Sequence, residues 1–173
     1  MTKNEINLKP EKNYEFRKRL LNLHPPDIRD KERKPNKDEF EIADGCVIWL
    51  PSDATDVQLT AAKDFVEDMF TSMAVSVMLK KGNLSEDEEQ WTDRTKCRHI
   101  IVHYPKESEE ILGVATGYMG YRIDVANVVH IYSHDDRGTA QAFYYMEDLM
   151  STEKAPLLIK GTVRRKVSFS NYE

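Results

Sequence analysis

Residues 121–150 constrain the fold more than any other stretch of the chain. Tyr121-Arg-Ile-Asp-Val125 alternates apolar and charged side chains, the period-two pattern of a half-buried strand. A tight turn leads to Val128-Val-His-Ile-Tyr-Ser133, a second strand. Asp136-Arg-Gly-Thr-Ala-Gln-Ala-Phe-Tyr-Tyr-Met-Glu-Asp-Leu-Met150 then reads as a helix opened by Arg137-Gly138. Asp135 or Asp136 is the expected cap, because a short carboxylate satisfies the first unpaired backbone N–H groups. Ala142, Tyr145, Met146 and Leu149 fall on one stripe, while Phe143, Tyr144 and Met150 lie partly outside it. A helix with apolar residues on two sides needs a second surface to cover it. Phe143, Tyr144 and Met150 are therefore the candidate interface toward another domain.

Upstream, Glu39-Phe-Glu-Ile-Ala43 and Cys46-Val-Ile-Trp-Leu50 flank Asp44-Gly45. Asp-Gly between two apolar runs predicts a two-residue hairpin. Pro51 stops the second strand. Leu59, Ala62, Phe65, Val66, Met69 and Phe70 recur at helical spacing and predict an amphipathic helix over 55–73, capped by Asp53 or Thr55. Val75–Leu79 and His99–Tyr104 read as strands, Lys80–Lys96 as an exposed loop, Lys106–Gly117 as connecting structure, and 156–169 as an extended return. Residues 1–38 differ from the rest. A short helix around Glu15–Leu23 is ended by Pro25-Pro26, and a charged stretch follows. The order predicts an α+β fold: one mostly antiparallel or mixed sheet with two helices packed on one face.

Composition narrows the function classes. The 173 residues suit one domain plus an extension, and 40% hydrophobic residues can furnish a modest core. A formal net charge of -5 argues against a nucleic-acid surface, since phosphate binding wants a basic excess. No apolar run is long enough to span a membrane, and the first residues lack the apolar core of a signal peptide. A cytoplasmic location follows if Met1 is the native start. Cys46 and Cys97 sit in apolar segments and read as buried thiols.

The residue types that carry chemistry do not assemble in the sequence. His99/His103 and His130/His134 are each spaced four apart. On a strand that spacing sets the rings ~13 Å apart on one face, too far to share a metal, which leaves only a site assembled across strands as the metal alternative. The acidic run Glu86–Glu89 lacks the alternating ligands of a calcium loop. The glycine-rich Gly113–Gly120 leads into a strand, whereas a phosphate cradle opens a helix. Ser133-His134-Asp135-Asp136 holds hydrolase residue types in succession, and adjacent residues cannot converge as a triad. No catalytic residue, cofactor site or metal site is assigned.

The strand Tyr121-x-Ile123-x-Val125, the next strand, and the helix opening Arg137-Gly138 with Leu149 near its end resemble the close of the small N-terminal domain of family 20 glycoside hydrolases. These enzymes are the β-N-acetylhexosaminidases. The hairpin, Pro51 and the 55–73 helix follow the same order, so the resemblance covers about residues 39–170. It departs from the family pattern at Ala142, Tyr145-Met146, Asp148, Arg165 and Val167. The resemblance implies a hexosaminidase N-terminal-domain-like fold and no active site in this chain. It divides the chain into an arm (1–38), an accessory domain (39–161) and an exit segment (162–173) leading toward a catalytic barrel. The partner it implies is that barrel in the same polypeptide, with carbohydrate contacted only through it. The alternative is a stand-alone α+β binding or interaction protein. The family's acids sit at barrel strand ends, so none is carried over to this chain.

Overall fold

The computed structural model describes residues 24–82, 98–103 and 119–165. It is an α+β layer. Strands β1 (Glu39–Glu41) and β2 (Cys46–Leu50) precede helix α1 (Asp56–Thr71). Strands β3 (Val77–Lys81), β4 (His99–Val102), β5 (Tyr121–Val125) and β6 (Val129–Ser133) lead to helix α2 (Asp136–Glu153). Two short strands follow, β7 (Leu157–Ile159) and β8 (Gly161–Arg165). The main sheet is mixed and six-stranded, ordered β3-β2-β4-β6-β5-β8. Its β3-β2-β4-β6 half is parallel, and β5 runs antiparallel to both β6 and β8.

Both helices pack on one face of this sheet and on each other, with the Phe65 and Phe143 rings 5.3 Å apart at their crossing. Period-two alternation sends Cys46, Ile48 and Leu50 of β2, Ile100 and Val102 of β4, Tyr121, Ile123 and Val125 of β5, and Val129 and Ile131 of β6 toward the helices. Phe65 and Met69 of α1 and Phe143, Met146 and Met150 of α2 complete that core. Fully burying side chains of this size is worth about 1.5–3 kcal/mol each.

The expected hairpin at Asp44-Gly45 does not form. β1 pairs with β7 in a separate two-stranded sheet, and β2 pairs with β3 and β4. Gly45 does take the positive φ that the dipeptide signals (+83°), but it makes a corner between sheets. Its N–H donates to Ser76 O, and the Asp44 carboxylate accepts from Ser76 N at 2.7 Å. The turn chemistry was legible; the partner of each strand depended on long-range pairing that local sequence does not encode.

Helix starts match their signals. Thr55 caps α1 in a full capping box with Gln58, and Asp56 sits in its first turn. Asp135 caps α2, accepting from Gly138 N at 2.7 Å, and also accepts from Met119 N at 3.0 Å. The buried faces of both helices depart from the expected stripes. Phe70, expected on the buried face of α1, is 70% exposed. On α2, Phe143 and Met150 are fully buried, whereas Tyr145 and Leu149 are only partly so.

The extended return divides at Gly161, where φ is +138°. β7 serves the small sheet, and β8 extends the large one through Arg165. The described part of the arm lies along the C-terminal ends of both helices. Asp27 N donates to Thr71 O, Ile28 N to Ser72 O and Asp30 N to Lys154 O, so it satisfies carbonyls that a helix end leaves unpaired. Glu15–Leu23, the Glu86–Glu89 run, Cys97 and Gly113–Gly117 lie outside the described residues.

Candidate functional site

The strand–helix junction of β5, β6 and α2 is closely packed. Gly138, in the first turn of α2, has no room for a side chain. A Cβ there would lie 2.5 Å from the Gly120 carbonyl oxygen and 3.1 Å from Ser133 Cβ. Thr139, one residue on, accepts from Gln58 Nε2 at 3.0 Å and shares a 2.7 Å hydroxyl bond with Ser133. Thr55 Oγ1 donates to Asp136 Oδ2 at 3.1 Å. These bonds tie the N-terminal ends of the two helices to each other and to β6.

The same end of the sheet holds the close of β8. Arg165 pairs in register with Tyr121 and stacks its guanidinium 5.1 Å from the Tyr145 ring centre. Tyr121 and Tyr145 meet at 6.1 Å. Burial pushes the Tyr121 hydroxyl up to about 12, against the opposing pull of Arg165.

Ser133, His134 and Asp135 point in three directions. Ser133 is buried against Thr139, His134 is exposed, and the Asp135 carboxylate caps α2. They make no triad. The histidines split similarly. His99 Nδ1 accepts from the Trp49 indole at 3.1 Å on the sheet face away from the helices. His103 Nε2 and His130 Nδ1 lie 2.9 Å apart, and His103 stacks on Tyr132 at 4.2 Å. Spacing along one strand hid this contact between neighbouring strands. No group of three or more potential metal ligands occurs among the described residues. On the same face Arg122 and Thr162 hydrogen-bond to Asp124. Burial opposes ionisation of Asp124, but these two bonds outweigh it and hold the carboxyl below its ordinary range.

Of the three residues nominated for an interdomain contact, Phe143 and Met150 belong to this domain's own core and are not available to a partner. Tyr144 is: it is 38% exposed on the outer side of the helix pair. It borders an open depression of about 310 Å³ with Asp56, Val57, Thr60, Ala61 and Ala140. Val57, 42% exposed, joins Tyr144 as an apolar rim that the sequence reading missed. Its place in the first turn, away from the core stripe, was the available signal.

Further along the helix pair, Asp64 and Asp68 contact His24 of the arm, and both carboxylates lie near enough to Glu147 of α2 for their charges to act on it. Burial, and then the charges of Asp68, Asp64 and Asp148, push the Glu147 carboxyl up to about 8. Asp64 and Asp68 are far from Glu147 in sequence, and the packing of α1 against α2 brings them together.

Comparison of the chain with protein-family models finds no match, and comparison with curated proteins finds none.

Proposed function

We propose that the chain is a non-catalytic N-terminal domain of a glycoside hydrolase of the β-N-acetylhexosaminidase type, which packs against and stabilises a catalytic barrel. The observation that carries this reading is the junction around Gly138. Tyr121, Ile123, Val125, Arg137 and Gly138, the residues of the resemblance, belong to one interlocked unit, and its helix opening needs glycine for packing. In the described region, the hydroxyls, histidines and carboxylates that suggest chemistry serve caps, ring pairs and a buried network. The apolar rim of Tyr144 and Val57 is the surface we assign to the barrel, since an exposed ring beside a shallow depression suits a docking anchor.

The test uses the longer polypeptide that the proposal requires. Tyr144→Ser there should lower the unfolding temperature of the barrel, and in the present chain it should leave stability nearly unchanged. A barrel indifferent both to Tyr144→Ser and to removal of residues 39–165 would overturn the reading.

A further inference from the structure

The face of the sheet turned away from the helices carries two arginines side by side. β8 pairs with β5 so that Arg164 stands directly opposite Arg122, and Thr162 opposite Asp124. Tyr121, Ile123 and Val125 of β5 point into the core, so Arg122 and Asp124, with Arg164 and Thr162 across from them, belong to the other face. The Asp124 carboxylate accepts from Arg122 Nε at 2.8 Å and from Thr162 Oγ1 at 2.7 Å, and pairs with Arg122 Nη2 at 2.6 Å. Arg164 is exposed, and its side chain makes no hydrogen bond, ion pair or ring contact among the described residues.

Like charges directly opposite one another weaken an antiparallel pair, because their Cβ atoms are only ~4.5–5.5 Å apart. The ion pair with Asp124 accounts for Arg122, but Arg164 gains no partner and adds repulsion. A basic residue on the last strand of a sheet also deters pairing with another sheet. A position that does not face Arg122, such as that of Thr162, would do so without the repulsion. Two guanidiniums and one carboxylate leave a single positive charge uncompensated. Arg122 commits Nε and Nη2 to Asp124, which fixes its plane and leaves its Nη1 side for another acceptor, while Arg164 keeps its whole fork of donors. A carboxylate offers one planar edge, which a single guanidinium fills, as Asp124 shows with Arg122. A tetrahedral oxyanion presents oxygens in several directions and can accept from both guanidiniums at once.

We propose that Arg122 and Arg164 bind the sulfate or phosphate group of a small monoester on the outer face of β5 and β8. Arg164 supplies the uncompensated charge and an unused fork. Arg122, held in place by Asp124, supplies a second set of donors beside it. Tyr132, in register with Arg122 and stacked on His103, bounds the site on the β6 side. A sulfate monoester carries the one negative charge that neutralises the group. The site lies on the opposite side of the sheet from Tyr144 and Val57, and it does not depend on the proposed function.

Titration of the full chain with methyl sulfate, methyl phosphate or acetate at constant ionic strength tests the site, read from the nuclear magnetic resonance signals of the β5 and β8 amides and of the arginine Nε–H groups. Both tetrahedral anions should give saturating shifts at Arg122 and Arg164, the tighter of the two identifying the ester, and acetate should bind about tenfold more weakly. Arg164→Gln, at an exposed position, should leave the circular dichroism spectrum unchanged and weaken both anions by about tenfold. Arg122→Lys keeps a charge beside Asp124 but loses the fork, and should weaken them by about fivefold. Lys63→Gln, which removes an exposed charge from α1, should change the affinity by less than about twofold. Absence of saturable shifts on β5 and β8 would overturn the proposal. So would wild-type affinity in Arg164→Gln, an equal loss in Lys63→Gln, or acetate binding as tightly as the tetrahedral anions.

Discussion

Gly138→Ala offers a sharp test of the packing argument, because two principles predict opposite signs. Alanine is the better helix former, and on propensity alone the substitution stabilises by about 0.5–1 kcal/mol. The structure predicts a loss. The new Cβ would sit 2.5 Å from the Gly120 carbonyl oxygen, a backbone atom that cannot rotate away, and 3.1 Å from Ser133 Cβ. Relief requires the start of α2 to move away from the chain before β5 by several tenths of an ångström. Overpacking of this kind costs about 1–3 kcal/mol. The same movement strains the Asp135 cap on Gly138 N and the hydroxyl bonds of Thr139. Loss of a cap costs about 1 kcal/mol and loss of a neutral hydrogen bond a similar amount. The net expectation is a destabilisation of roughly 2–4 kcal/mol. For a domain of this size that is a fall of roughly 5–15 °C in unfolding temperature, readable by circular dichroism. Gly45→Ala is the control: its Cβ would meet nothing within 4 Å, and it should lose only the roughly 1 kcal/mol of placing alanine at φ +83°. An unchanged or raised melting temperature for Gly138→Ala would refute the account of why Arg-Gly opens this helix.

Other outcomes follow from the same geometry. Phe143→Ala should cost about 3–5 kcal/mol, since its ring is fully buried against Phe65, whereas Tyr144→Ser should fall within about 0.5 kcal/mol in this chain; urea unfolding of both separates core from surface. Glu147 binds its proton more tightly folded than unfolded, so its contribution to stability is fully present below its ordinary value of 4.5 and is lost as the pH rises through about 8. Allowing for solvent screening, that loss is roughly 2 kcal/mol and should vanish in Glu147→Gln; parallel pH–stability curves for the two proteins would contradict it. The chain alone should not hydrolyse aryl N-acetylglucosaminides. Turnover that follows the protein through purification, and disappears on mutating one of its own carboxylates, would show a site that the described residues do not reveal.

What was legible in the sequence was local. Asp53 or Thr55 and Asp135 or Asp136 announced the helix starts because capping is decided within three residues, the structure choosing Thr55 and Asp135, and the alternation of Tyr121–Val125 announced the face that β5 buries. The fold class followed from the order of these elements. Pairing was not legible: Asp44-Gly45 dictated a bend but not whether β2 would join β1 or the parallel strands β3 and β4. Helix phase drifted by about one residue, enough to send Phe143 outward and Phe70 inward on paper. At 100° per residue, a one-position error moves a side chain from flank to core. The candidate surfaces were the least legible. The His24 cluster joins positions that are distant in sequence, and the His103–His130 contact crosses strands. Neither leaves a spacing signature.

The central claim is that this domain belongs to a larger glycoside hydrolase, and the reading frame downstream of the Glu173 codon tests it most directly. The account predicts several hundred further codons whose strands alternate with helices as in a barrel, carrying an Asp-Glu pair at a strand's C-terminal end. A stop codon immediately after Glu173 in the native transcript would contradict it and favour a stand-alone protein that binds its partner through the Tyr144–Val57 surface.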